Sequence, residues 1–330
     1  MSSVTTKRRK AAVRQSRRNA GPSKKIKAKG IWSIGDRIGV VAAWVAGLLL
    51  CTIAASITLF MGWKGIQYVT WDVISSSPEA SLEQSKVGGF LDPIIGTLLL
   101  TLLGGLIATP VGVSVALWLT EYGRPSPLAR FVEAGVEVIA GTPSIVLAIF
   151  GLLIYQQGVM SPFSFTADGG EVFGRSFFAA GAAMSLIALP FVVGGTREGL
   201  NSIPKHIREA SYALGKDKAS TIRRVLLPSA RRGIATGSTL GIARIAGDTA
   251  IVVVLLGASL QIAPEGNIPG IDVLRGTGST LTSYVFQNSP AGEGNAPEKA
   301  YAAAFVLLMI VIVLNLVVSR LTKKGQHVWG

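Results

Sequence analysis

Long apolar runs alternate with short polar connections along almost the whole chain. Six of them approach or exceed the roughly 20 mostly apolar residues that a bilayer crossing takes: 38–61, 94–120, 134–156, 176–196, 234–261 and 300–321. The second is interrupted by Gly104, Gly105 and Pro110, and the fourth by Pro190. Such breaks are tolerated where neighbouring helices re-satisfy the backbone. Gly141-Thr142-Pro143-Ser144 predicts a break or kink in the third run, which would turn backbone groups toward a pathway. The first run exceeds the ~7–15 residues of a signal-peptide core, so it is expected to remain as a helix. The pattern predicts an all-α membrane protein with six transmembrane helices. Residues 1–37 form a basic arm, 38–61 the first helix, 62–89 an outer loop, 90–318 a five-helix core and 319–330 a tail.

The polar connections decide the expected orientation. Segment 62–93 holds only Lys64 and Lys86, 157–175 only Arg175, and 262–299 only Arg275 and Lys299. On the other side, 121–133 holds Arg124 and Arg130, the tail Arg320, Lys323 and Lys324, and 197–233 nine Lys/Arg. With both termini in the cytoplasm, the basic connections all fall inside. Six spans satisfy that alternation; five or seven do not.

Composition adds two points. Charged residues make up 15% of the chain, against roughly a quarter in soluble domains, and the mean hydropathy is +0.48. The net charge of +14 is concentrated at the start, because residues 1–30 carry eleven Lys/Arg and no acid. With no aromatic before Trp32, that arm is expected to lie disordered near anionic lipid rather than to bind nucleic acid. Cys51 is the one cysteine, so no internal disulfide forms, and an apolar, buried thiol is expected. Trp32, Trp63 and Trp71 fall near span ends as interfacial anchors. His206 and His327 have no ligand cluster near them, so no metal is expected, and no nucleophile or carboxylate constellation points to an enzyme.

The connection 197–233 is long and cationic. Ser202 with Pro204 reads as a helix start. Ile207, Ala210, Ser211 and Leu214 then make one apolar stripe, and Gly215 ends the helix as a left-handed cap. Asp217 caps a second short helix whose stripe is Ile222, Val225 and Leu226, and Pro228 precedes the fifth span. Such a pair of helices could lie on lipid. Its spacing, however, is Glu209-Ala210-Ser211, three residues, Gly215, nine residues, Val225, one residue, Leu227-Pro228. This resembles the EAA loop of ABC importer permeases, with Ser211 for the second Ala and Val225 for Ile.

The resemblance implies that the 204–228 loop is a coupling helix pair docked in a groove of a separate ATPase. Glu209, Ala210, Ser211, Gly215, Leu227 and Pro228 would carry the coupling, with a small Ala210/Ser211 face allowing close approach. ATP and Mg would sit on that partner and no cofactor on this chain. Gly215-Lys216 is not a phosphate-binding loop, since it has neither the preceding Gly nor a following Ser/Thr. Leu119-Thr120-Glu121-Tyr122-Gly123, Ala140-Gly141-Thr142-Pro143-Ser144-Ile145-Val146 and Ile242 to Ala250 further resemble phosphate importer permeases of the PstA type. Here Asp248 stands for the usual Glu and Ile251 for the usual Pro. The implied fold is that of type I ABC importer permeases. The implied partners are a homologous PstC-type permease, a PstB-type ATPase dimer and an extracytoplasmic PstS-type phosphate-binding protein, in a prokaryotic inner membrane. A permease for another oxyanion, molybdate or sulfate, or an ATP-independent secondary transporter, are the alternatives.

Within the fifth run, Gly237, Gly241, Arg244 and Asp248 share one helical face, and the glycines would admit a neighbouring helix. Arg244 would lie about 15 Å into a hydrocarbon core of ~30 Å. A charge there costs about 2.5–3.5 kcal/mol, so it should face inward with a partner, Asp248 being nearest. The pair either only locks helices together or, with Thr142 and Ser144, serves as a weak phosphate station on the pathway.

Overall fold

A computed structural model describes residues 34–78, 88–123, 125–165, 170–257, 262, 271–290, 292 and 296–324. The basic arm before Ile34, the tail after Lys324 and most of 258–270 lie outside the described residues.

The described residues are helical with short irregular joints. Helix α1 runs Ile34–Ile66 and the short α2 Trp71–Ser75. Helix α3, Leu91–Leu117, ends in a π turn, Trp118–Tyr122. Then come α4, Pro127–Gly141, and α5, Ser144–Tyr155. Helix α6 is Phe177–Asn201, α7 Lys205–Ala213 and α8 Lys218–Thr221. A π turn, Ile222–Leu226, leads into α9, Leu227–Ala246. A second π turn at Val252–Leu256 precedes α10, Ile271–Arg275, α11, Leu281–Asn288, and α12, Pro297–Lys324.

Four of these segments are long and apolar enough to cross a membrane: Ile34–Ile66, Leu91–Tyr122, Phe177–Asn201 and Pro297–Arg320. The other two expected spans differ from straight rods. The 134–156 run is two arms bent by 108° between Gly141 and Ser144. Pro143 disfavours helical backbone at Thr142, whose ψ of 130° is extended. The 234–261 run starts earlier, at Leu227, and breaks at Gly247-Asp248-Thr249. Pro110 and Pro190 remain inside continuous helices.

The chain divides into two units at Ile57. In the first, α1 presents an apolar surface on which Cys51 is exposed, contrary to the expected burial. Hydrocarbon rather than protein suits such a surface. In the second unit, the last turns of α1 meet α12: Gly65 lies against Tyr301 and Phe305, and Phe60 meets the Tyr301 ring edge-on at 5.8 Å. A hydrogen bond with Glu298 raises the Tyr68 phenol above its ordinary pKa.

The main core joins α3, α6 and α9 to the π turn after the break. Leu100, Phe177, Met184, Ile187, Ile245, Leu255 and Leu256 fill it, with many alanines between them. In hydrocarbon the hydrophobic effect does not drive helices together, so close backbone approach and van der Waals contact must do so. The α6–α9 seam meets that requirement with glycine. A methyl on Gly237 would fall 2.7 Å from the Phe191 carbonyl oxygen and 3.1 Å from Val192 Cα; on Gly195, 2.6 Å from Gly237 Cα; on Gly199, 2.8 Å from the Ala230 carbonyl oxygen. Gly233 sits equally tight against Gly195 and Gly199, and Gly241 lies against Ala188.

Candidate functional site

Two sites lie at opposite ends of the α6–α9 pair. The first surrounds Arg244, two residues before α9 ends. Gly247 closes the helix on the carbonyls of Ala243 and Ile245. Asp248 follows in non-helical backbone. One carboxylate oxygen, Oδ1, accepts the Ile251 N–H at 3.0 Å, as an N-cap does. The other, Oδ2, pairs with Arg244 Nη2 at 3.2 Å. The pair thus staples the two halves of the broken segment. Asp248 therefore lies past the helix end and does not extend the face of Gly237 and Gly241. The turn that resumes at Ala250 has unsatisfied N–H groups, and the carboxylate supplies an acceptor.

Asp248 is 3% exposed and the Arg244 side chain 41%. Arg244 faces a cavity of about 240 Å³ whose wall includes Ile139, Ala140, Thr142, Pro190 and Phe191. Thr142 stands at the α4–α5 corner, its hydroxyl donating to the Val138 carbonyl at 2.7 Å. The structure therefore brings Arg244 and Thr142 together, sets Asp248 behind Arg244, and leaves Ser144 off this wall as the first residue of α5. A mostly apolar wall with one guanidinium and one hydroxyl suits brief contact with a tetrahedral oxyanion, through the paired donors of Arg.

The second site is the hairpin of α7 and α8. Ser202 does not start α7. It closes α6, donating to the Gly199 carbonyl at 2.8 Å, while Pro204 stands at the head of α7. Gly215 has φ 73°. Its N–H reaches the Tyr212 carbonyl at 2.9 Å, and that of Lys216 reaches Ser211 at 3.3 Å, the two bonds of a Schellman cap. Asp217 then caps α8 through the Ser220 N–H at 3.3 Å. The π turn Ile222–Leu226 widens the helix directly ahead of Pro228, which relieves the clash of that ring with the preceding turn.

The expected Ala210/Ser211 face does not exist as one surface. Ser211 is buried, its hydroxyl 2.9 Å from that of Thr221 across the hairpin. Ile207 and Leu227 turn inward onto Leu200, Ile203, Ile222, Leu226 and Ala230. Glu209, Ala210 and Tyr212 face outward, with Leu214 80% exposed at the tip. The stripe is split because Ala210 lies about 100° round the helix from Ser211, so the inward face of Ile207 and Ser211 ends before it, and Leu214 falls past the helix end at Ala213. An open cleft of about 740 Å³ beside the hairpin is lined by Arg224, Arg231 and Arg232, among others. Nothing around Gly215 obstructs a side chain, so only backbone strain opposes Gly215→Ala, costing about 1–2 kcal/mol. Gly215→Asn should cost less, since Asn tolerates this conformation. Proteolytic nicking of the purified protein at the hairpin should rise in the order Gly, Asn, Ala.

Sequence reasoning missed Gly195, Gly199 and Gly233, and with them the partner face of Gly237. The signal was present: Gly195 and Gly199 are four apart, as are Gly233, Gly237 and Gly241. The Glu133 carboxylate, at the start of the bent segment, meets Arg197 of α6 at 2.7 Å.

The chain matches known proteins over most of its length. The family described as binding-protein-dependent transport system inner membrane component matches residues 108–324. The phosphate transport system permease protein PstA 1 of Mycobacterium tuberculosis (strain CDC 1551 / Oshkosh) is 32% identical over 267 residues, 80% of either chain. The phosphate transport system permease protein PstC of Xylella fastidiosa (strain 9a5c) is 27% identical over 309 residues, covering 86% of this chain and 90% of that one. Among solved structures, a bacterial alginate ABC transporter in complex with its alginate-bound periplasmic protein superposes with a TM-score of 0.58 at 15% identity. That match covers 89% of this chain and 97% of the other, so the fold is shared.

Proposed function

The chain belongs to the family of binding-protein-dependent transport system inner membrane components, and from that premise we propose that it is the PstA-type permease subunit of an ATP-driven importer of inorganic phosphate. The observation that carries this is the 32% identity, over four-fifths of the chain, to a phosphate permease. The Arg244 cavity, a small apolar space with a guanidinium for an oxyanion, is consistent with it.

The chain is a transport component that leaves ATP hydrolysis, with its Mg, to a PstB-type ATPase dimer. The hairpin is the coupling element. Its outward side, Glu209, Ala210, Tyr212 and Leu214, docks on that dimer, and the inward side grips α6 and α9. Those two helices carry Pro190 and Arg244 to the cavity, and their glycine seam lets them move as one body. Likeness to a PstC-type chain as well as a PstA-type chain supports pairing of two similar permeases around one pathway. A PstS-type binding protein delivers phosphate from outside. Both chain termini and the cationic hairpin then face the cytoplasm.

Co-expressed with the second permease, the ATPase and the binding protein, and placed in vesicles, the chain should support ATP-dependent uptake of labelled phosphate. Excess sulfate or molybdate should not compete. Leu214→Asp, which puts a charge on the docking tip without touching the hairpin's interior, should strip the ATPase from the purified complex. Sulfate or molybdate uptake equal to that of phosphate would overturn the substrate assignment. Undiminished ATPase recovery with Leu214→Asp would overturn the docking face.

A further inference from the structure

We propose that Glu121, at the end of α3, is a positioning residue that carries the hairpin's movement into α3; the proposal rests on the coupling function above. The hairpin is joined covalently to α6 and α9, so α3 follows it only through contacts. Leu117 supplies an apolar one, against the hairpin's interior cluster. The polar ones converge on Glu121.

Arg208, in α7, is a three-way connector. Its Nη2 lies 3.1 Å and its Nε 3.4 Å from one oxygen of the Glu121 carboxylate. The same Nη2 reaches the Leu200 carbonyl at 2.9 Å, and Nη1 the Ile203 carbonyl at 2.7 Å. Those carbonyls close α6, where a cation is favoured by the helix dipole as well as by the hydrogen bonds. From the other arm of the hairpin, Lys218 donates to the Glu121 carbonyl and lies 4.2 Å from the centre of the Tyr122 ring. Both arms thus hold Glu121 in the π turn that ends α3, and the second arm also holds Tyr122. The Glu121 side chain is 9% exposed and that of Arg208 20%, so solvent screens this pair less than a surface pair.

The local backbone fits the role. The last turn of α3 is a π turn, its Gly123 N–H bonding back to Trp118 at 2.6 Å. An extra residue in a helical turn re-aims the side chains that follow, and Glu121 lies within it. Two short polar links, the Arg208 guanidinium on the Glu121 carboxylate and the Lys218 ammonium on the Glu121 carbonyl, transmit both push and pull. A single apolar contact transmits only push. The movement would thereby reach three helices, and α3 packs against both α6 and α9 in the main core through Gly104 and Gly105.

The test is the ratio of phosphate taken up to ATP hydrolysed in vesicles carrying the complete complex. Glu121→Gln keeps shape and removes charge; Glu121→Ala removes both. Neither touches the hairpin's interior or its outward side, so the ATPase should copurify as with the unaltered chain. Uptake per ATP should fall at least about tenfold for Ala and less for Gln, as hydrogen bonds to charged groups are among the stronger ones. Glu121→Asp should restore part of the ratio. An unchanged ratio in both variants, with the unaltered complex coupled, overturns this inference alone. So does a loss of uptake that tracks loss of the ATPase one for one, since Glu121 would then only brace the hairpin. An unaltered complex that holds no ATPase removes the coupling function itself, and this inference with it.

Discussion

Arg244→Ala should reduce phosphate uptake by at least about tenfold in a complex that still assembles, the scale on which a charge contact in a mostly apolar passage counts. Two effects combine. The cavity loses the one guanidinium on its described wall, leaving Thr142 as the polar group beside apolar side chains. Asp248 loses the cation 3.2 Å away while remaining 3% exposed and bound to the Ile251 N–H. Two further variants separate them. Arg244→Lys keeps the charge and a partner for Asp248 but loses the planar, paired donors. It should leave assembly intact and recover uptake in part. Asp248→Asn keeps an acceptor for Ile251 and frees Arg244 to swing. It should lower uptake less than Arg244→Ala. The measurement is initial uptake rate at fixed complex content. Undiminished uptake with Arg244→Ala would remove Arg244 from the pathway and leave it as a staple across the helix break.

Gly237→Val should abolish assembly, and Gly237→Ala should lower the stability of the detergent-purified protein markedly. The seam explains the size. The nearest obstacles to a side chain at Gly237 are backbone atoms of Phe191, Val192 and Gly195, not flexible side chains. They can be cleared only by moving the whole of α6. Overpacking a tight core costs about 1–3 kcal/mol per modest insertion, and a β-branched residue adds more than one methyl. Because α6 and α9 link hairpin and cavity, uptake should fall with stability rather than independently of it. Gly194→Ala is the internal control: it adjoins Gly195, yet a methyl there meets nothing within 4 Å. Equal melting temperatures for Gly194→Ala and Gly237→Ala would show that the seam can relax and that the argument from contact is wrong.

Much of this was legible in order along the chain. The spans over Ile34–Ile66, Leu91–Tyr122, Phe177–Asn201 and Pro297–Arg320 follow from sustained mean hydropathy, which the glycines and prolines within two of them do not offset. The left-handed turn at Gly215 and the cap at Asp217 follow from local backbone chemistry, since each bond involved joins residues a few positions apart. Pairing of Arg244 with Asp248 was likewise within reach, being a contact of near neighbours.

What the sequence by itself determined is therefore the set of local propensities: which segments prefer hydrocarbon, where a helix must stop, and which charge needs a partner nearby. What only the tertiary structure decided is how separated segments meet. It turned Ser211 inward onto Thr221, so the outward side of the hairpin falls to Ala210 and Leu214. It set Thr142 opposite Arg244, and Glu121 under both arms of the hairpin. The physical reason is common to all three. Hydropathy and capping act over a turn or two of chain, whereas these contacts join residues that only the crossing of whole helices brings within reach.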